Sequence, residues 1–165
     1  MIYTSSYKKC LNGNKISISG DRGKSVGYQG ECFPALAPKL SFWKIWHENI
    51  GKIPKEENNY YYIKNYYELV LKDLDPNEIL NLLNNKILLC YEDNMEFCHR
   101  HIIAYWIELE LGISVPEVEV DEYGNMTILD RPIWVKEMLE KVIDENKKNQ
   151  IKTFVKKIIS KIEGE

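Results

Sequence analysis

Positive charge is scarce in this chain: 22 Lys and Arg stand against 25 Asp and Glu, giving a net charge of −3 and a pI near 5.7. A protein built to hold a nucleic-acid backbone carries a basic surplus, so nucleic acid is disfavoured as the principal partner. Long apolar runs are missing as well. None approaches the roughly 20 residues that span a bilayer, and the stretch from Met1 to Cys10 turns polar within a few positions, unlike a secretory signal. The expectation is a cytoplasmic protein with no membrane partner. The four cysteines, Cys10, Cys32, Cys90 and Cys98, include no Cys-x-x-Cys pair and read as reduced thiols.

Three catalytic patterns are present only in part. Gly23-Lys24-Ser25 matches the end of a P-loop, but Ile18 stands where its first glycine belongs, and Val26-Gly27-Tyr28-Gln29-Gly30 cannot begin the helix that must follow. The phosphatase loop needs a cysteine five residues before an arginine. Here nine residues separate Cys90 from Arg100 and one separates Cys98 from it, which excludes that chemistry. Zinc would draw on Cys90, Cys98 and His101, with His99 or Glu92 as a fourth ligand. Without paired-cysteine spacing, and with His99 pointing elsewhere on a helix, no metal and no other cofactor is expected.

What is present centres on Lys86 to Trp106, KILLCYEDNMEFCHRHIIAYW. Ile87-Leu88-Leu89-Cys90-Tyr91 is a short, unalternating apolar run, as in a strand buried on both faces of a parallel sheet. Glu92-Asp93-Asn94 makes a polar turn. Cys98, Ile102, Ile103, Trp106 and Leu109 then recur at helical spacing, which puts Cys98, His99 and Arg100 in or near a first helical turn. In open α/β sheets such strand-to-helix junctions bind ligands, anions above all. A guanidinium at a helix N-terminus is electrostatically unfavourable without an anion, so Arg100 calls for a partner. Cys98, beside Arg and His, has the surroundings of a lowered thiol pKa, although cysteine is also a common packing residue.

Elsewhere, Ile2 to Tyr7 reads as a first strand whose Thr4, Ser5, Ser6 and Tyr7 either feed a pocket or cap the next segment, and Lys15 to Ser19 as a second strand. The loop from Gly20 to Gly30 holds four glycines with Asp21, Arg22, Lys24 and Ser25, a composition suited to cradling phosphate or carboxylate. Leu40 to Ile50 reads as a short helix with His47 as a rim or core residue, Lys52 to Asn59 as a charged loop, and Tyr60 to Leu74 as an amphipathic helix. Asp75-Pro76-Asn77-Glu78 combines a capping aspartate, a first-position proline and a third-position glutamate. Val115 to Val120 and Met126 to Leu129 flank a turn at Glu122-Tyr123-Gly124-Asn125. Two amphipathic helices follow, one from Asp130 and one carrying Ile151, Phe154, Val155, Ile158, Ile159 and Ile162 against lysines, with Asn146 to Asn149 between them. The second stripe needs cover from the domain or from a second copy in a homodimer.

The order of elements favours a small three-layer α/β domain with a mostly parallel sheet over 1–112, with a C-terminal extension of a hairpin and helices over 113–165. Leu88-Leu89-Cys90-Tyr91-Glu92 followed by Phe97-Cys98-His99-Arg100-His101 resembles the bacterial and viral domain-of-unknown-function family numbered 488. The likeness extends to Tyr3-Thr4-Ser5-Ser6, Ile16 to Ser19, Leu36-Ala37-Pro38 and the tyrosine-rich helix at Tyr60. It implies a Rossmann-like domain with these residues beside a pocket, and it implies no particular activity. Many relatives carry Asp-Val-Arg where this chain has Ile16 to Ser19, so Arg22 is the arginine available to replace theirs. The reading that follows is a binder of a phosphorylated, nucleotide-like small molecule, sensing or sequestering it. Arg100, Arg22, Lys24 and Ser25 would hold phosphate, with Thr4 to Tyr7 at the strand end, Glu92 on a hydroxyl, and Tyr28, Tyr60 or Tyr91 on the ring. The alternatives are an enzyme acting on a nucleotide or nucleobase through Cys98 or Glu92 with His99 as proton carrier, and a partner-binding protein using its C-terminal helix.

Overall fold

The computed structural model describes residues 1–164. Its strands are β1 (Tyr3–Ser6), β2 (Lys15–Ser17), β3 (Glu31–Cys32), β4 (Ile87–Cys90), β5 (Glu117–Val120) and β6 (Met126–Leu129). They form one six-stranded sheet in the order β3-β2-β4-β1-β5-β6, parallel except for the β5–β6 hairpin. The unalternating run of β4 has its cause in this order. It lies between β1 and β2, in register Tyr3↔Ile87 and Lys15↔Ile87, and all four of its residues are buried. Parallel pairing also brings the carboxyl ends of β1, β2 and β4 to one edge.

The helices are α1 (Leu40–Glu48), α2 (Lys55–Tyr66), α3 (Pro76–Leu82), α4 (His99–Leu111) and α5 (Ile133–Glu163). Their buried side chains join Leu88, Ile16, Ile18 and Ile2 in one large core. The other face of the sheet is closed by Cys10, Ile87, Leu89, Val118 and Val120, with Tyr3, Tyr7 and Tyr28 packed on them. The fold is therefore α/β with the C-terminal hairpin and helical extension expected. Among the described residues no helix is long and apolar enough to cross a membrane.

Two helical boundaries differ from those read off the sequence. The segment taken as a charged loop is helical from Lys55, because Asn58 and Asn59 face inward: Asn58 Nδ2 donates to the Trp46 carbonyl at 2.9 Å, and Trp46 Nε1 donates to Asn59 Oδ1 at 3.2 Å. Those bonds lock α2 to α1, and α2 passes into a π-helical turn at Tyr67–Leu71. Second, Asn146 to Asn149 does not break the C-terminal segment, which is a single 31-residue helix. With no Gly or Pro there, the weak helix propensity of asparagine costs only tenths of a kcal/mol per residue. Val135, Leu139, Val142 and Ile143 are buried, whereas Ile151, Phe154 and Ile162 are exposed, so this chain does not cover its own second stripe.

One ion pair crosses the interior. Arg100 Nε donates to both oxygens of Glu117 at 3.0 and 3.1 Å, and its Nη2 to Oε2 at 2.7 Å, with both side chains at most 1% exposed. The pair joins the first turn of α4 to β5, and β5 is separated by β1 from the strand that leads into α4. Next to it His101 is fully buried with neither ring nitrogen bonded. Burial, and then the charge of Arg100, push its pKa down to about 4 from 6.5.

The pH dependence of stability follows from this depression. Between pH 6.5 and about 4 the unfolded chain binds a proton on residue 101 that the folded chain refuses, so the contribution is complete above that window and is lost as pH falls through it. Urea unfolding of wild type should therefore lose up to roughly 3 kcal/mol more than His101→Leu between neutral pH and pH 4. Parallel losses in the two proteins would contradict the assignment.

Candidate active site at the carboxyl edge of the sheet

A cleft of about 620 Å³ opens where the carboxyl ends of β2 and β4 meet the start of α4. One wall is aromatic: Trp43 and Trp46 from α1, Tyr62 from α2, and Phe97 from the turn before α4. Trp46, Tyr62 and Phe97 pack on each other with centroid separations of 5.0 to 5.8 Å. Ser19, Gly20, Asp21, Ser25 and Tyr91 also line the cleft, with Pro38 and Leu40, and the remaining lining is Cys90, Glu92, Cys98 and His99.

The last four are held close by local backbone geometry. Cys90 ends β4, and Glu92 follows two residues later. Cys98 precedes α4 in extended conformation (φ −154°, ψ 145°) as its capping residue, so it does not belong to the helix. This corrects the expectation that His99 points away from Cys98: helical spacing separates neighbours only inside a helix. The donor atoms of Cys90, Cys98 and His99 lie within 4.8 Å of one another. His99 Nδ1 is 3.7 Å from Cys90 Sγ, and Cys90 Sγ is 3.5 Å from Glu92 Oε2. On the far side of the ring, His99 Nε2 is 2.8 Å from the Ile18 carbonyl, which can only accept, so Nε2 carries a proton and Nδ1 faces the thiols.

The charges divide unequally among these groups. Burial opposes ionisation of Cys98, yet the Cys90 thiol, Arg100 and His99 together hold its pKa well below the usual thiol value. The Cys98 sulfur and then burial push Cys90 well above it, so ionisation is favoured at Cys98 over Cys90. Burial alone would lower His99, but the adjacent Cys98 raises it. Glu92, desolvated and facing Cys98, rises to about 7. The cluster thus joins a thiol shifted toward ionisation, an imidazole, and a carboxyl group able to hold or release a proton near neutral pH.

Of the site residues expected from sequence, Ser25, Tyr91, Glu92, Cys98 and His99 line the cleft. Arg100 does not: its anion is Glu117, and it is completely buried. The glycine-rich loop is likewise already occupied by an internal carboxylate. Asp21 accepts from Gly23 N at 2.9 Å, from Ser25 N at 3.1 Å, from Ser25 Oγ at 2.9 Å and from the Tyr91 hydroxyl. The loop is held tightly at Gly23 (φ 78°), where a Cβ would stand 2.6 Å from Tyr28 Cβ. Arg22 and Lys24 are exposed and do not line the cleft.

The first-strand hydroxyls are also turned inward. Ser5 Oγ donates to the Val118 carbonyl, Ser6 Oγ accepts from Lys9 N, and Thr4 Oγ1 is buried without a partner. Tyr7 shares hydrogen bonds with Ser17 and Ser19 and packs on Tyr28 and Tyr91. Tyr28 donates to the Glu31 carbonyl, and Tyr60 donates to Glu145 on α5, so neither lines the cleft. Conversely, Trp43, Trp46, Tyr62 and Phe97 were missed as site residues, since an apolar helical stripe looks the same whether it meets a core or a cleft.

The divided charge makes an outcome measurable. In reduced, chelator-treated protein, iodoacetamide should modify Cys98 ahead of Cys90, and His99→Gln should slow that reaction. Peptide mapping that finds Cys90 modified first would contradict the geometry. Comparison with known proteins leaves the site to be read from its own chemistry: no family model, no curated protein and no solved structure matches this chain.

Proposed function

We propose that the protein is an enzyme acting on a planar, nucleobase-like ring held in the cleft, with the Cys90–Cys98–His99 cluster as the reacting centre and Glu92 as the proton carrier. The observation that carries this reading is the joining of an aromatic wall to a cluster of thiol, imidazole and carboxyl groups in one cleft. Flat rings are held well by aromatic faces and edges. The polar lining supplies hydrogen-bonding groups for ring substituents: Ser19, Ser25, Asp21 and Glu92. A positioned carboxyl group then contributes by moving a proton to or from the reacting atom.

The same lining argues against sequestration of a phosphate deep in the cleft. No Lys or Arg contributes to it, while Asp21 and Glu92 do, and an anion there would face carboxylates without a compensating cation. A phosphate carried by the ligand belongs outside, at the loop where Arg22 and Lys24 are exposed.

A panel of nucleobases, nucleosides and nucleotides, followed by thermal shift and by chromatography of the recovered compounds, tests the reading. At least one ring compound should stabilise the protein and be converted by it. Glu92→Gln should keep the stabilisation and lose about 10²-fold or more in rate. Absence of both stabilisation and conversion across the panel, or unchanged turnover by Glu92→Gln, would overturn it.

A further inference from the structure

We infer that Cys90, Cys98 and His99 form a zinc site whose fourth position opens to the cleft beside Glu92. The three donor atoms lie within 4.8 Å of one another, and Cys90 Sγ to His99 Nδ1 measures 3.7 Å. Tetrahedral zinc with Zn–S of about 2.3 Å and Zn–N of about 2.0 Å places a sulfur and a nitrogen ligand about 3.5 Å apart, close to the Cys90–His99 separation, and the 4.8 Å bound leaves Cys98 within about 1 Å of its place. The histidine is oriented for the task. Its Nε2–H is fixed on the Ile18 carbonyl at 2.8 Å, the outer hydrogen bond that metal-bound imidazoles usually make, and this leaves the Nδ1 lone pair directed at the thiols.

The choice of metal follows from the donors. Two sulfurs and one imidazole are too soft for magnesium or calcium and suit zinc. Two thiolates also neutralise the ion, and Arg100 behind the site is already matched by Glu117. Three protein ligands with an open position mark a catalytic rather than a structural zinc site, in which a bound water is activated. That water would lie within reach of Glu92, which is 3.5 Å from Cys90 Sγ. The inference deepens the proposed function and rests on it for the role of the water, though not for the binding of the metal. Cys98 then acts as a ligand.

The test uses cobalt as a visible stand-in for zinc. Chelator-treated, reduced full-length protein should take up one equivalent of Co²⁺, giving a thiolate-to-cobalt charge-transfer band and intense tetrahedral d–d bands that one equivalent of Zn²⁺ abolishes. Cys90→Ser, Cys98→Ser and His99→Gln should each lose or strongly shift these bands, whereas Cys32→Ser should keep them. Circular dichroism and thermal melts establish that the variants fold. Zn²⁺ should raise the Tm of wild type and leave that of Cys98→Ser unchanged. A weak octahedral spectrum in the wild type, or bands that survive in folded Cys98→Ser, would overturn the metal site. Ring conversion that persists in metal-free protein would overturn the catalytic role of the bound water while sparing both the metal site and the proposed function. Metal binding with no ring compound bound or converted would leave the metal site standing and overturn that function.

Discussion

A guanidinium without water must be answered by a carboxylate, and the Arg100–Glu117 pair is where this constraint organises the molecule. Arg100 has no exposed surface, and its Nε and Nη2 are committed to Glu117 while Nη1 has no partner. Removing either member alone would strand a charge in the interior. The pair fixes the first turn of α4 against β5, and the two residues before Arg100 are His99 and Cys98. The position of the reactive cluster is thus tied to an ion pair that does not line the cleft. Arg131 reinforces the region by bonding Glu108, donating to the Val115 carbonyl and lying 4.3 Å over the Tyr105 ring.

The same logic recurs at the glycine-rich loop, where Asp21 gathers the amides and hydroxyls that resemble an anion cradle. Two features suited to binding a phosphate are therefore satisfied by the chain's own carboxylates. The cleft left between them is aromatic on one side and carries thiols, an imidazole and a carboxyl group. Under the proposed function, these groups serve a flat molecule as a reacting centre rather than a phosphate as a receptor. Glu92 and Cys98 oppose each other electrostatically: Cys90, Arg100 and His99 favour negative charge on the Cys98 sulfur, and that charge, after burial, is part of what raises the Glu92 carboxyl.

The elements legible in the sequence were those whose signal is local. The unbroken apolar run of β4, the Asp75 cap that accepts from Asn77 N at 2.8 Å, and the β5–β6 hairpin all stand where their residues place them. So does the junction holding Cys98 and His99. Features that depend on partners distant in sequence were not legible. Glu117 looks like an ordinary strand residue until Arg100, 17 positions away, is brought against it. Asn58 and Asn59 read as loop residues until Trp46 supplies their bonds. Periodicity puts Cys98 in or near the first helical turn but does not show that it caps the helix in extended conformation, and that detail decides whether His99 can join the thiols.

The most direct measurement is a double-mutant cycle on the buried pair. Arg100→Met, Glu117→Met and the double variant would be unfolded in urea, with near-UV circular dichroism reporting the aromatic wall. Each single replacement should cost about 3 to 5 kcal/mol, and the double variant far less than their sum, because it leaves no unpaired charge inside. Single costs that are small, or that simply add in the double variant, would contradict the claim that this pair holds the site in place.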